Sequence, residues 1–446
     1  MPDARHIDAL VAEIGSTTTS VSAFDGLAGW PETRPVLVGQ GVAPTSVAEG
    51  DVGIGLAAAR AALEAKTGPL VPAITLATSS AAGGLRMTVH GLTQKMTAMA
   101  AREAALGAGA VLVHQTAGVL RDSDIAEIEA ARPGLVLLAG GVEGGDTETV
   151  LANAHRLADL SERPIVIYAG NSAVAAEART ILQAAGFRVR LTQNVYPRVD
   201  ELDIVPARHA IHDAFEEHIP HAPGMERIGE FVTGGILPTP GAVLLAAEAL
   251  AAELGDLVVV DVGGATTDVH SVTDGSPEIA AISTDPQPHA KRTVEGDLGT
   301  FVSAAHTAAL IAEAERPDPL PPAIPFTPAE FNAAALLARA ATVTGVLRHA
   351  GHFAHLYTPK GRQTVAHGRD LTACRLVIGT GGALVRLPGG EAALAAALGG
   401  AGDHLLPPAD ARVALDRDYV FACCGTLLGH FEPRAVVELM RASAGV

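Results

Sequence analysis

The chain has 446 residues, of which 31 are Lys or Arg and 49 are Asp or Glu, so its formal net charge at pH 7 is −18. This excess of acidic groups argues against a nucleic-acid backbone or an anionic membrane surface as the partner. Hydrophobic residues make up 48% of the chain but aromatic residues only 3%, so Ala, Val, Leu and Ile must build the core. The length permits two or three domains.

The cysteines and the lengths of the apolar runs indicate in which cellular compartment the protein is expected. Cys374, Cys423 and Cys424 form no C-x-x-C pair and no framework for secreted disulfides. The N-terminal stretch 1–13 lacks the apolar core of a signal peptide, and no apolar run reaches the ~20 residues that a membrane span needs. We therefore expect a cytoplasmic protein with no membrane partner.

The first half of the chain alternates between predicted strands and helices. Residues 8–25 predict a strand, a polar turn and a second strand, and residues 53–66 predict a helix. The pattern continues with strands at 72–78, 110–115, 135–139, 165–169 and 187–191, and with helices at 91–107, 122–131, 147–159, 172–185 and 200–221. This alternation indicates an α/β protein with a mostly parallel, wound sheet.

The second half carries the stretch LVVVDVGGATTDVH at 257–270. Its apolar start predicts a buried strand, which ends at the carboxylate of Asp261. Gly263 and Gly264 follow, where the backbone can turn tightly and bring its N–H groups close to an anion. This segment therefore predicts a phosphate-binding turn, and the alternative is an ordinary β-hairpin with a Gly-Gly turn.

Side chains that suit a metal-bound phosphate complete the stretch. Thr266 and Thr267 add hydroxyl donors, and Asp268 supplies a second carboxylate. Carboxylates can hold Mg²⁺ or its waters, while N–H and O–H groups hold phosphate oxygens.

A second copy of this stretch occurs near the N-terminus. EIGSTTTSVS at 13–22 aligns without gaps on 261–270, so that Glu13 corresponds to Asp261. LVLLAGG at 135–141 also aligns on LVIGTGG at 376–382, and the two offsets, 248 and 241 residues, are nearly equal. Two pairs at one offset suggest a duplicated α/β unit with two turns at a shared cleft.

Small residues recur in two further stretches, 239–252 and 419–429. Ala242, Ala246 and Ala249 in the first and Ala422, Gly425 and Gly429 in the second recur at spacings of three and four. Helices with such faces can cross closely.

The order of these motifs is similar to that of the actin/hexokinase/Hsp70-type ATPase superfamily, and nearly the whole chain resembles the MutL or GlmL family. The proteins of this family are accessory proteins of adenosylcobalamin-dependent mutases and are unrelated to the mismatch-repair protein that shares the name MutL. The residues that carry the resemblance are APTSVAEGDVGIGL (43–56), SSAAGGL (79–85), GGVEGGD (140–146), YAGN (168–171), PTPGAVL (238–244), VDVGGATTDVHSV (260–272), KRTVEGDLG (291–299), VIGTGGALVRLPGG (377–390) and LLPPADARVALDRDYVFACCGTLLG (405–429).

The resemblance implies a duplicated actin-like (ribonuclease H-like) ATPase fold with two lobes around a nucleotide cleft. Lobe I would span 1–225 and lobe II 226–410, with 411–446 returning toward lobe I as a C-terminal helix. The cofactors implied are ATP and Mg²⁺. Mg²⁺ would be held mainly through waters on Asp261, with Glu13 and Asp268.

The resemblance also assigns further residues to the cleft. Glu295 or Asp297 would orient the attacking water, and Lys291 would face phosphate. The phosphates would lie between two turns, and the adenosine against a third. These residues are Gly15, Ser16, Thr17, Thr18 and Thr19 in the first turn, Gly263, Gly264, Ala265, Thr266 and Thr267 in the second, and Gly379, Thr380, Gly381 and Gly382 in the third.

Three functions remain open at this point. The first is an ATP-binding and ATP-hydrolysing accessory or reactivation factor, chaperone-like, for an adenosylcobalamin-dependent mutase such as glutamate mutase, whose subunits would be its partners. The second is a small-molecule enzyme of the same fold, either a kinase or an amidohydrolase of the hydantoinase or oxoprolinase kind. The third is a module that binds nucleotide but barely hydrolyses it. The sequence leaves the oligomeric state open.

Overall fold

The computed structural model describes residues 4–81, 85–359, 361–399 and 402–446. Residues 82–84 of the SSAAGGL motif lie outside the described residues. The strands of the described chain are β1 Arg5–Ile14, β2 Thr18–Asp25, β3 Val36–Pro44, β4 Leu70–Ser79, β5 Arg86–Gly91, β6 Val111–Ala117, β7 Leu135–Leu138, β8 Ile165–Tyr168, β9 Val189–Leu191, β10 Ile236–Pro238, β11 Leu257–Val262, β12 Thr267–Val272, β13 Ala290–Glu295, β14 His352–Thr358, β15 Gly361–His367, β16 Leu376–Thr380 and β17 Arg412–Leu415.

Helices connect and cover these strands. They are α1 Val52–Thr67, α2 Thr97–Gly107, α3 Asp122–Ala131, α4 Glu148–Leu157, α5 Ala175–Ala184, α6 Val205–His218, α7 Thr239–Leu254, α8 Pro277–Ala280, α9 Ala304–Ala309, α10 Pro328–His349, α11 Gly382–Val385, α12 Gly390–Ala395, α13 Phe421–Leu427 and α14 Pro433–Ala444. No helix among the described residues is both long enough and apolar enough to cross a membrane.

Two five-stranded sheets share one topology. The first has the order β3-β2-β1-β4-β10 and the second the order β13-β12-β11-β16-β17. In each sheet the first three strands along the chain form an antiparallel meander, and the fourth strand pairs parallel with the first. This repeated arrangement confirms the duplicated actin-like, ribonuclease H-like fold. Strands β10 and β17 complete these sheets from beyond the expected lobe boundaries at 225 and 410.

The register of the two hairpins is also the same. Glu13 on β1 pairs with Ser20 on β2, and Asp261 on β11 pairs with Asp268 on β12. Since these are the positions that the gapless sequence alignment matches, the first pair of aligned stretches marks a true structural repeat.

The prediction that 135–141 and 376–382 are equivalent parts of the repeat was wrong. Strand β7 lies in a third sheet, and the partner of β16 in the first lobe is β4, because β4 pairs parallel with β1 as β16 pairs with β11. The shared sequence LV-x-x-x-GG reflects what many buried parallel strands need, namely apolar residues followed by a glycine turn.

The third sheet belongs to a domain inserted between β4 and β10. Its order is β6-β5-β7-β8-β9, all neighbours are parallel, and each strand is followed by a helix. Helices α2 and α6 share a core with the first lobe, whereas α3, α4 and α5 form a separate core on the other face. The predicted wound parallel sheet is therefore present, although strand β5 was not predicted, and the helix expected over 91–107 begins only at Thr97.

Helices α7 and α13 pack between the two main sheets and cross closely. A Cβ atom on Gly425 would lie 2.0 Å from the carbonyl oxygen of Ala242, so this crossing requires glycine. The close approach predicted from the small residues is thereby confirmed. The two helices consequently have their backbones in near contact at this point, within an apolar core that both lobes share.

Candidate functional site

The turns of the two hairpins are built alike. Gly15 donates its N–H to the carbonyl of Thr18 over 3.0 Å, and Gly263 donates to Thr266 over 2.9 Å. Both turns come directly after the central strand of their sheet, so they stand at the same edge of each lobe. The predicted phosphate turns are thus equivalent in position and in shape.

The carbonyl oxygens of each turn accept hydrogen bonds from a neighbouring segment of the same lobe. In the first lobe, Thr45 donates its hydroxyl to Gly15 (2.8 Å) and its N–H to Thr17 (3.0 Å). In the second lobe, Phe301 donates to the carbonyl of Gly264 (2.8 Å), and the Ser303 hydroxyl donates to that of Ala265 (2.7 Å). Fixed carbonyls orient the turns so that N–H and O–H groups can face an anion.

Two carboxyl groups, those of Glu13 and Asp261, lie beside these turns. The pKa of Glu13 is raised to about 7, mainly by burial and also by Asp416, against the lowering effect of the Tyr419 hydroxyl and Arg386. Burial likewise raises the pKa of Asp261 well above its ordinary value, with Asp268 and Glu13 adding to the effect. Because Glu13 contributes to the raised pKa of Asp261, the two hairpins lie close enough for their carboxyl groups to interact electrostatically.

Asp268 has a fixed cationic partner. Arg292 donates through Nε to Asp268 Oδ1 over 2.7 Å, and its Nη2 lies 2.6 Å from the same oxygen. Thr266 donates its hydroxyl to the other oxygen over 3.3 Å. Asp268 therefore enters the cleft as half of a buried ion pair rather than as a free carboxylate.

The turn from Gly379 to Gly382 lies against Asp261. Thr380 is the strand partner of Asp261, and Gly381 has a φ of 85°. A Cβ atom on Gly381 would lie 2.3 Å from Asp261 Oδ1, so only glycine fits there. The structure thus brings the predicted adenosine turn to the edge of the same cleft.

Three residues of the cleft were missed as site residues, namely Asp416, Tyr419 and Arg386. Asp416 is fully buried and accepts from the Thr380 hydroxyl over 2.9 Å. The Tyr419 hydroxyl donates to Glu13 over 2.7 Å, and the Arg386 guanidinium lies 5.5 Å from the Tyr419 ring centroid. The signal that could have found Asp416 is the acidic residue directly after the short apolar run 413–415, which repeats the pattern at Asp261.

Glu295 and Asp297 lie together, but both are engaged by Arg348. Arg348 Nη1 donates to one oxygen of each carboxylate over 2.7 Å. The hydrogen bond from Arg348 is the main cause that lowers the pKa of Asp297. A carboxylate held in this way is a weak proton acceptor.

Lys291 lies away from the turns. It pairs in register with Ser271, four positions along the strand from the pairing of Glu295 with Thr267. Its ammonium group lies 3.4 Å from Glu103 on α2 and donates to Gln287 over 2.7 Å. The structure therefore does not bring Lys291 to the phosphate turns.

The donor set of the cleft fits a hydrated cation better than a directly bound one. Within the described ranges, no group of three or more His, Cys, Asp or Glu side chains is arranged to hold a metal ion. The Glu13 and Asp261 carboxylates, however, are destabilised by burial and by neighbouring acids. A hydrated dication would stabilise both charged forms, which is the usual way in which Mg²⁺ is held near phosphates.

Comparisons with known proteins identify relatives of this chain. The chain matches the family described as MutL protein over residues 9–444. The protein MutL of Clostridium tetanomorphum is 37% identical over 392 residues, which cover 82% of this chain and 85% of that protein.

Likenesses to solved structures are weaker. Nucleotide-free acetone carboxylase aligns with 94% of this chain and 70% of its own at 10% identity and a TM-score of 0.40. The diol dehydratase-reactivating factor in nucleotide-free form aligns with 94% of this chain and 99% of its own at 11% identity and a TM-score of 0.36. At these values the two likenesses carry no argument about function.

The sequence comparisons decide the family. The family match spans almost the whole chain, and the relative from Clostridium tetanomorphum is similar over most of both proteins. The chain therefore belongs to the MutL protein family, the glutamate mutase-related family that is distinct from the mismatch-repair protein of that name, as its motifs predicted.

Proposed function

We propose that this protein binds and hydrolyses ATP as an accessory or reactivation factor of an adenosylcobalamin-dependent mutase such as glutamate mutase. The observation that carries the proposal is the pair of hairpins in one register, each of which places a carboxyl group, buried at Glu13 and half-buried at Asp261, beside a glycine turn. Family membership supports the mutase as partner. The geometry of the two hairpin turns supports the binding of a nucleotide.

The nucleotide would lie across the cleft between the two lobes. Its phosphates would contact the turns Gly15–Thr19 and Gly263–Thr267, whose carbonyl groups are engaged from behind. Its adenosine would lie against 379–382, the turn that contacts Asp261. A ligand held by both lobes favours the closed arrangement, because it binds that arrangement better than the open one.

Asp261, with Glu13, would hold Mg²⁺ through its waters. The metal supplies positive charge to the phosphate oxygens when it is bound. Asp268 would contribute from behind Asp261, since Arg292 already neutralises it. Lys291, paired with Glu103, is left without a role at the phosphates.

Glu13 is the best-suited proton acceptor of the cleft. A general base works best when its pKa lies near the operating pH, and that of Glu13 is about 7 before a cation binds beside it. Glu295 or Asp297 would have to leave Arg348 before either could orient a water molecule. The same ion pairs weaken the alternative of a small-molecule kinase, whose carboxylate base could be only Glu295 or Asp297.

The test is ATP turnover with Mg²⁺ by wild type and Asp261→Ala, with and without purified glutamate mutase subunits. We expect slow turnover that the mutase stimulates and that the substitution lowers by about 100-fold or more, as removal of a group that stabilises transition-state charge does. Asp410→Ala is the matched control, since Asp410 forms a surface pair with Arg375 and its side chain is 79% exposed.

Each part of the proposal can fail separately. Equal ATP turnover by wild type and Asp261→Ala would show that Asp261 takes no part in hydrolysis and that the proposed cleft is not the active site. Nucleotide binding with no measurable turnover would favour the binding module. Glutamate mutase would be ruled out as the partner if its subunits do not change ATP turnover and if a pull-down detects no nucleotide-dependent complex with them.

A further inference from the structure

Arg292 joins the second phosphate hairpin to the inserted domain. Its side chain is 2% exposed and lies on β13. Nε and Nη2 contact Asp268 of the hairpin, while Nη1 donates to the carbonyls of Leu106 (2.9 Å) and Ala110 (3.2 Å). One guanidinium group therefore bridges two parts of the molecule that lie more than 150 residues apart in sequence.

The inserted domain is contacted at a specific place, the C-terminal end of α2. The last carbonyls of a helix have no partner within the helix and carry its partial negative charge. Arg292 supplies both a hydrogen-bond donor and a positive charge there. The position of α2 and the ion pair with Asp268 thus depend on the same side chain.

The rest of this junction is polar and incompletely paired. Lys291 contacts Glu103 of α2, but the second carboxylate oxygen of Glu103 is buried without a partner among the described residues. His270, the strand partner of Arg292, is fully buried, and in that same described set neither of its ring nitrogens has a partner. Unpaired buried groups destabilise an interface, so this junction can rearrange more readily than the apolar cores around it.

We infer that Arg292 is a positioning residue that makes the contact between α2 and the second lobe depend on the occupancy of the cleft. The inference rests on the proposed function, because it requires a nucleotide with Mg²⁺ beside Asp261. In that position the Mg²⁺ ion, rather than the anionic nucleotide, would compete with Arg292 for the carboxylate of Asp268, the strand partner of Asp261. When that ion pair weakens, the guanidinium shifts relative to the carbonyls of α2, and the inserted domain responds.

The experiment is hydrogen exchange of the full-length protein, read on peptides that cover 97–112. Exchange is compared without nucleotide, with Mg-ADP and with Mg²⁺ and a non-hydrolysable ATP analogue. For wild type we expect the opening equilibrium of this segment to change about fivefold or more between states, the size of a modest coupling between two sites. For Arg292→Gln we expect nucleotide to bind and the change to disappear.

Two further variants distinguish coupling between the cleft and α2 from a general destabilisation of the inserted domain. Arg208→Gln is the matched control, because Arg208 also links the inserted domain to the rest of the protein, through two hydrogen bonds to Glu248 on α7 (2.8 and 2.6 Å), and within the described chain it forms no hydrogen bond to Asp268. It should speed exchange in every state and leave the nucleotide-dependent difference intact. Arg292→Lys keeps the charge but cannot span both partners, so it tests the coupling if Arg292→Gln does not fold.

The outcomes are distinguishable. If wild type does not bind the ATP analogue in a separate titration, the proposed function fails and the inference fails with it. If the analogue binds but exchange over 97–112 does not change, only the inference is overturned. A nucleotide-dependent change that persists in both Arg292 variants also overturns it, since the coupling then runs through another contact.

Discussion

The two lobes share a backbone but differ in how their polar residues are partnered. On neighbouring strands, the first lobe presents Ser20, Glu13 and Thr78, and the second presents Asp268, Asp261 and Thr380 in the equivalent row. In the second row the flanking side chains are paired, Asp268 with Arg292 and Thr380 with Asp416. In the first row the flanking hydroxyls are buried, and neither has a hydrogen-bond partner in the described parts of the chain.

This difference teaches that duplication preserved register more strictly than chemistry. The second lobe pairs its flanking cleft residues through its own sheet and through Asp416, which directly follows that sheet. In the first lobe it is the central carboxyl group that is paired, by Tyr419 from the C-terminal segment. The two lobes therefore anchor different members of equivalent rows.

The strongest test of this contrast removes the buried anchor of the second lobe. Asp416 accepts hydrogen bonds from Thr380, from Ser443 over 2.6 Å and from the backbone N–H groups of Val420 and Phe421. Asp416→Ala leaves all these donors unpaired, so we expect a loss of about 3–5 kcal/mol in the free energy of unfolding. Urea denaturation measures this loss in the free energy of unfolding. A loss below about 1 kcal/mol would show that the hydrogen bonds to Asp416 do not anchor the second lobe.

A test of the first lobe uses pH. The pKa of Glu13 is raised from 4.5 to about 7 on folding, so between these values the folded state binds more protons than the unfolded state. Stability from this group is therefore present at low pH and is lost as the pH rises toward 7. At 1.36 kcal/mol per unit of pKa difference the loss is about 3 kcal/mol.

Glu13→Gln should remove that dependence. Between pH 4.5 and 7 the free energy of unfolding of the variant should rise relative to wild type by about 3 kcal/mol, measured by urea denaturation at each pH. Parallel pH profiles for the two proteins would show that Glu13 keeps an ordinary pKa. Mg²⁺ with nucleotide should flatten the wild-type profile, because a nearby cation stabilises the carboxylate.

The smallest effect compares the two equivalent threonines directly. Thr78→Val removes a buried hydroxyl that has no partner in the described chain, so stability should stay the same or rise by about 1 kcal/mol. Thr380→Val removes the donor to Asp416 and should lower stability by about 1–2 kcal/mol. Thermal unfolding of both variants measures the difference, and equal losses would mean that Thr78 is paired in solution.

Local patterns in the sequence were sufficient to predict the hairpins and most of the inserted domain. The acid, glycine and threonine positions of 13–22 and 261–270 lie within ten residues of one another, and the fold keeps their register. The helix expected over 122–131 is α3, whose start is marked by acidic residues in its first turn. Such signals need no knowledge of distant parts of the chain.

The partners of the site residues could not be predicted in the same way, because distant segments supply them. Tyr419 reaches Glu13 across 406 residues, and Arg292 reaches α2 across 186. KRTVEGDLG was expected to bring Lys291 to phosphate, but the segment instead uses Lys291 and Arg292 to bind the inserted domain. Composition cannot distinguish these roles, since both need basic residues next to acidic ones.

The hydrogen bond between Tyr419 and Glu13 also orders events on the ribosome. At about 5–20 residues per second, Tyr419 emerges at least about 20 s after Glu13, and until then the first hairpin lacks the partner of its central carboxyl group. The inserted domain, whose strands all lie between Arg86 and Leu191, can pair its sheet long before that moment. A nascent chain can therefore pair the inserted sheet while the cleft is still unfinished, and it gains the complete cleft only after Tyr419 has been synthesised.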